Sequence, residues 1–257
     1  MSRILFLIYA GFNYLTFLVA FSYAIGFVTN LLVPKAIDGV PQVPLSAAII
    51  NNLTLLAIFA VQHSVMARPK FKQWWTRIIP APIERSTYVL FSNLALILLM
   101  WKWEPMGGVI WSVSSPLVSG LLTALSLLGF AILIASTFMV DHWDLFGLRQ
   151  VWAYFTGKTY TPPKFKTAYL YKYVRHPLYL GFVIGFWAAP TMTVTHLIFT
   201  VMCTGYILVG IYLEEKDLTS YFGDTYRNYK KRIPMLIPIP GRKASVRTMK
   251  PPHDQAA

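Results

Sequence analysis

Three short stretches of this chain combine side chains that could do chemistry. Arg175, His176, Pro177, Leu178, Tyr179, Leu180 and Gly181 are consecutive. Pro177 biases His176 toward an extended backbone and is itself favoured at the first helical position. His176 is therefore expected at a helix start, where unpaired backbone N–H groups attract anions and Arg175 adds a fixed positive charge. Gly181, one turn further on, allows close approach of a ligand or of a second backbone. A ligand bearing a carboxylate and an adenine would suit such a place. A plain helix start with an interfacial Arg and Tyr fits the same residues.

The second stretch is Glu214-Glu215-Lys216-Asp217-Leu218, at the end of a long apolar run. Adjacent carboxylates there are costly unless paired or hydrated, and they could accept ribose hydroxyls or an ammonium group. On a helix the two point in different directions, so only one need face a site. The third stretch runs from Asp141 and His142 through Asp144 to Arg149 and Gln150. It offers an acid, an imidazole and a guanidinium, which could serve as base, donor and anion binder. A helix terminus dressed with polar residues is the plainer reading of it.

The elements that must hold these residues are apolar. Of 257 residues, 56% are hydrophobic and 13% charged, against about 25% charged in ordinary soluble domains. Residues 4–33, 45–67, 86–101, 105–140 and 178–213 carry no charge. A bilayer core needs about 20 apolar residues per helix, which predicts spans near 4–32, 45–66, 86–102 and 117–140. The run 178–213 is interrupted at Pro190-Thr191-Met192-Thr193 and reads as a hairpin. Its first leg, 178–190, is too short for an ordinary span. The expectation is an all-α polytopic membrane bundle of five full spans and a short sixth leg. Residues 1–140 would form the N-terminal transmembrane helices. Residues 141–240 would form a catalytic region with a cytoplasmic loop, the hairpin and a cofactor-binding segment, and 241–257 a flexible basic tail. The first apolar run is too long for a signal-peptide core and is read as an uncleaved span.

Charge orients the bundle. There are 23 Lys and Arg against 10 Asp and Glu. With both termini cytoplasmic and the hairpin turning back, all the basic residues but Lys35 and Lys102 fall on the cytoplasmic side, as the positive-inside rule favours. In so apolar a chain the basic excess implies an anionic membrane surface rather than nucleic acid. The pairs Trp74-Trp75 and Trp101/Trp103 read as interfacial belts.

Several chemistries are excluded or weakly supported. Cys203 is the only cysteine, so no internal disulfide and no cysteine-based zinc site exists. No Walker loop, GxSxG, HExxH or soluble Rossmann fingerprint occurs. His63, His142 and His196 do not declare the facing pair that a buried haem would want, and His253 lies in the tail. Gly120 and Gly129 occur in the spans without a sustained GxxxG face, so the oligomeric state is not readable.

Arg175-His176-Pro177-Leu178-Tyr179-Leu180-Gly181, then an apolar hairpin, then Glu214-Glu215-x-x-Leu218, Phe222-Gly223-x-x-Tyr226-x-x-Tyr229 and Ile233-Pro234 resemble the isoprenylcysteine carboxyl methyltransferase superfamily of integral-membrane enzymes. Within it the chain is similar to the bacterial methanethiol S-methyltransferases, through the stretch Asp141 to Trp152 and its overall size. A related denitrification-associated membrane family shares the Arg-His-Pro start. The resemblance implies S-adenosyl-L-methionine bound on the cytoplasmic side of a bacterial inner membrane. It implies that Arg175, His176, Tyr179 and Gly181 contact the cofactor's amino-acid part or its surroundings. Glu214 or Glu215 would hold ribose or ammonium, and Tyr226 and Tyr229 would close over the adenine or the active site. The implied reaction methylates a small thiol, methanethiol giving dimethyl sulfide, with Asp141 or His142 as base and Arg149 as an alternative thiolate stabiliser. The implied partners are a small thiol and membrane lipid, with no metal and no nucleic acid. Alternatives are a lipid amine, an isoprenoid thiol or a prenylcysteine carboxylate as acceptor, a non-enzymatic accessory protein, or a transporter.

Overall fold

The structure is a computed structural model and describes residues 2–162, 165–240 and 248–249. Five helices are long and apolar enough to cross a membrane, as the uncharged runs predict. These are α1 (Ser2–Thr29), α2 (Leu45–Ala67), α4 (Glu84–Lys102), α5 (Pro116–Val140) and α9 (Val194–Phe222). Between them lie the short helices α3 (Pro69–Trp75), α6 (His142–Leu145), α7 (Leu148–Phe155) and α8 (Pro177–Trp187), and α10 (Asp224–Arg232) follows α9. Helix α8 is the short sixth leg. The interruption at Pro190 becomes strand β3 (Thr191–Thr193), antiparallel to β1 (Val109–Ser112). Strands β2 (Phe165–Lys166) and β4 (Thr248–Met249) pair antiparallel. Most of the basic tail from 241 onward lies outside the described residues.

The chain divides into two compact units. The first comprises residues 1–123, 143–161 and 189–202. In it α4 packs on α1 and α2, and α7 packs on α1. Buried Asn52 holds the end of α4: its amide donates to the Glu104 carbonyl at 2.7 Å and its oxygen accepts from the Glu104 N–H at 2.9 Å. Trp101 is exposed as a belt residue should be, but Trp103 is fully buried against Phe27 and Phe199. The reading of Trp103 as interfacial is thereby corrected: its ring fills the core where the chain leaves α4.

The second unit comprises residues 124–142, 162–188 and 203–257. Its helices meet through missing side chains. A Cβ on Gly181 would stand 2.5 Å from the Gly129 carbonyl oxygen, and one on Gly129 would stand 2.6 Å from the Gly185 nitrogen. Ser126 adds a hydrogen bond from Oγ to the Gly185 carbonyl at 2.7 Å. So α8 and α5 touch backbone to backbone, the small-residue contact by which helices associate in lipid. The pairings 126 with 185 and 133 with 181 make them antiparallel. Trp187 donates to Thr204 at 3.0 Å, and the Tyr179 hydroxyl lies 3.8 Å from the Cβ position of Gly210. Helix α8 is therefore also antiparallel to the second half of α9. The end of α5, the start of α8 and the end of α9 consequently share one end of this unit.

Gly181→Ala should destabilise the protein by about 1–3 kcal/mol, the usual range for overpacking. Gly120→Ala should leave stability unchanged or raise it, since nothing lies within 4 Å of that Cβ position. Thermal unfolding of the two variants in the same detergent checks this contrast.

Candidate active site

At that shared end the site is organised around Glu215, whose side chain is 5% exposed. Its Oε1 accepts from Arg175 Nε at 2.6 Å and from His176 Nε2 at 3.1 Å, and its Oε2 pairs with Lys230 Nζ at 2.6 Å. Arg175 Nη1 donates to the carbonyls of Lys230, at 3.0 Å, and Ile233. The backbone N–H groups of Arg175 and His176 donate to the carbonyls of Pro234 and Met235 at 2.9 and 3.2 Å. One carboxylate and one guanidinium thus tie the start of α8, the end of α9 and the end of α10 together.

Glu214, the next residue along the helix, is 44% exposed and sits 3.8 Å from His176 Nδ1. The question of which glutamate has its carboxylate committed is settled by burial: Glu215 is the framework group and Glu214 the accessible one. Pro177 takes the first helical position of α8 as expected, and no side chain caps that helix. The ring of Tyr179 lies 5.6 Å from that of His176.

Helix α10 starts after Gly223, whose φ of +56° and ψ of −133° are reached readily only without a side chain. The turn buries Tyr226 and Tyr229 with Phe222 and Ile233. Tyr229 donates to the Tyr171 carbonyl at 2.6 Å. Burial raises the phenol pKa of Tyr226, reinforced by the charges of Glu215 and Glu214. Burial likewise raises Tyr229 and Tyr171, with the charge of Glu214 adding to the effect on Tyr171. All three remain protonated donors at neutral pH.

His142, the first residue of α6, is buried. Its ring stacks on Phe138 at 4.0 Å and 1°, and its Nδ1 is 2.7 Å from Thr137 Oγ1. Burial lowers its pKa, partly offset by the charge of Asp141, so the imidazole is neutral near neutral pH. The antiparallel register of α5 and α8 puts Thr137 level with the start of α8. Asp141 and His142 thus lie at the same end of this unit as His176. Arg149 belongs to α7 in the first unit. In that unit Asp144 accepts from Tyr160 at 2.7 Å.

Sequence reasoning did not find Lys230, Tyr171 or the packing partners of Gly181. Lys230 opens the run Lys230-Lys231-Arg232, which looks like a solvated helix end. The Gly181-x-x-x-Gly185 spacing was a legible signal of close helix contact. Of the other histidines, His63 hydrogen-bonds with Tyr88 at 2.8 Å and Ser92 at 3.1 Å, and His196 lies 3.8 Å from Asp38 at the other end of α9.

The NnrU protein family matches residues 53–219. The chain belongs to this family. It is 52% identical over 244 residues to the methanethiol S-methyltransferase of Crocosphaera subtropica, spanning 95% of this chain and 96% of that protein. It is 52% identical over 242 residues to the methanethiol S-methyltransferase of Mycobacterium tuberculosis, spanning 94% and 99%. It is 32% identical over 184 residues to Nurim of Rattus norvegicus, spanning 67% and 68%. No solved structure matches the chain. The resemblance to the isoprenylcysteine carboxyl methyltransferase superfamily, and within it to the methanethiol S-methyltransferases, is borne out.

Removing the Glu215 carboxylate leaves Arg175 buried without its partner, a change that costs about 3–5 kcal/mol. Glu215→Ala should therefore unfold at markedly lower temperature or denaturant, while Glu214→Ala should unfold like the parent.

Proposed function

We propose that this protein is an S-adenosyl-L-methionine-dependent methyltransferase of the membrane that methylates methanethiol to dimethyl sulfide. Near-full-length identity of about one residue in two with proteins named for that reaction carries the proposal. The site supports it. A helix start without a side-chain cap suits a carboxylate, and a half-exposed carboxylate beside an imidazole suits an ammonium group or ribose hydroxyls. The buried aromatic rings of Tyr226 and Tyr229 on α10 suit an adenine. These residues fit S-adenosylmethionine, which when bound supplies an electrophilic methyl group on a cationic sulfonium.

In this reading the first turn of α8 holds the cofactor's carboxylate. Glu214 takes its ammonium or its ribose hydroxyls, and Tyr226 closes the pocket. Arg175, Glu215 and Lys230 fix the walls rather than touch the reacting atoms. Gly181 acts through the contact with α5. His142, kept neutral by burial, accepts the proton of the thiol, because the thiolate is the nucleophile. Asp141 steadies the imidazolium that results. Arg149 has no part in this scheme, which runs on the second unit alone.

The packing of the second unit supports a small acceptor over a lipid one. A long isoprenoid chain needs an opening between helices, and the α5–α8 seam is closed by backbone contact at Gly129, Gly181 and Gly185. The distribution of basic residues supports a cytoplasmic site in the inner membrane of a bacterium.

Purified protein given methanethiol and methyl-labelled cofactor should release labelled dimethyl sulfide into the headspace. Glu214→Gln should weaken binding of S-adenosylhomocysteine by about 10-fold or more, the loss of one charge-assisted hydrogen bond, as read by calorimetry. His142→Gln should bind it normally and turn over about 100-fold more slowly. Methylation of a prenylcysteine but not of methanethiol would overturn the acceptor.

A further inference from the structure

We propose that Thr137 is a positioning residue that fixes the tautomer of His142, so that Nδ1 carries the hydrogen and Nε2 is the proton-accepting nitrogen. The proposal rests on the reading above, in which His142 takes the thiol proton.

A threonine hydroxyl has a single hydrogen to donate and lone pairs with which to accept. Thr137 Oγ1 donates that hydrogen to the Ile134 carbonyl, one turn back on α5, at 2.6 Å. The same oxygen lies 2.7 Å from His142 Nδ1. With its proton already committed, it can only accept there, so Nδ1 must be the N–H. In a neutral imidazole the other nitrogen then holds the lone pair, and the partner of one ring nitrogen sets the state of the other.

Two further features hold the ring in this state. Thr137 is 5% exposed, so water does not compete readily for its oxygen. The imidazole lies flat on Phe138, with ring centroids 4.0 Å apart and planes within 1°, which opposes rotation about χ2. The sequence builds the arrangement locally. Thr137 and Phe138 are the acceptor and the platform on the last turn of α5, and the helix ends at Val140, so that His142 meets both. A third group that fixes the tautomer of a catalytic imidazole can change turnover by orders of magnitude without changing geometry.

The experiment uses the full chain, selectively labelled with 15N-histidine and solubilised in detergent, with His142 assigned by comparison with His142→Gln. Long-range proton–nitrogen correlation spectra distinguish the two neutral tautomers directly, independent of activity. The parent should show the Nδ1–H form. Thr137→Val keeps the shape but removes the acceptor, and should shift the ring toward the Nε2–H form. Its turnover should fall toward that of His142→Gln, about 100-fold down. Thr137→Ser should restore both the tautomer and the rate. An Nε2–H signature in the parent, or an unchanged tautomer in a folded Thr137→Val, overturns the proposal. A parent in the Nδ1–H form with fully active His142→Gln overturns the role of His142 in the reaction, and with it any catalytic effect of Thr137.

Discussion

The site depends on one carboxylate that cannot be left alone. Glu215 is buried near the end of an apolar helix, and an unpaired charge there would be costly. Its two oxygens are shared among Arg175, His176 and Lys230, residues about 40 positions before it and 15 after it in the chain. Satisfying Glu215 therefore brings three segments to one place. Arg175 completes the assembly, since its remaining contacts go to carbonyls at the end of α10. Helix geometry then decides the fate of the neighbouring glutamate. Successive residues point about 100° apart around a helix axis, so burying Glu215 turns Glu214 outward. One member of the pair builds the frame, and the other is left accessible for chemistry.

Length explains why these carboxylates belong to a site rather than to a span. From Val194 to Glu215 the helix rises about 31 Å, close to the ~30 Å thickness of a hydrocarbon core. A helix that starts at one membrane face thus delivers the glutamates at the other. Helix α8 rises only about 16 Å, too little to cross. It is held instead by backbone contact with α5, where three glycines replace side chains. That contact is what permits a half-length helix to present its uncapped start beside the glutamates.

Much of this was legible in the residues. The uncharged runs marked the five long helices, because length and lack of charge are what a bilayer demands. Pro190 marked the turn, and Pro177 the start of α8. The hairpin then had to return Glu214 and Glu215 to Arg175 and His176. Other features depend on surroundings that a single sequence does not display. The phase of α9, which separates the roles of Glu214 and Glu215, is set by packing. Gly181 offered room for a ligand or a backbone, and only Gly129, 52 residues earlier, decides that a backbone uses it. Trp103 flanks a lysine like a belt residue, yet its ring meets Phe27 and Phe199 from distant segments. Lys230 stands in a basic run whose other members give it no distinction. The pairing of β1 with β3 is likewise a long-range contact between loops that carry no strong strand pattern.

The electrostatics of the frame also narrow where a proton can go. Burial, joined by the charge of Glu214 at Tyr171 and of both glutamates at Tyr226, keeps these phenols protonated, and at Tyr229 burial and the charge of Glu215 outweigh the nearby guanidinium. Protonated phenols are poor acceptors of a proton from a thiol. Glu215 has both oxygens engaged by cationic or N–H partners. In the proposed scheme the task falls to a neutral imidazole, and burial keeps His142 neutral. Separating the two duties has a physical advantage. A base inside the network would change its charge at each turnover and disturb the pairing that holds α8, α9 and α10 together. In the proposed scheme a base at the start of α6, just past the end of α5, gains and loses a proton while Arg175, Glu215 and Lys230 keep their pairing.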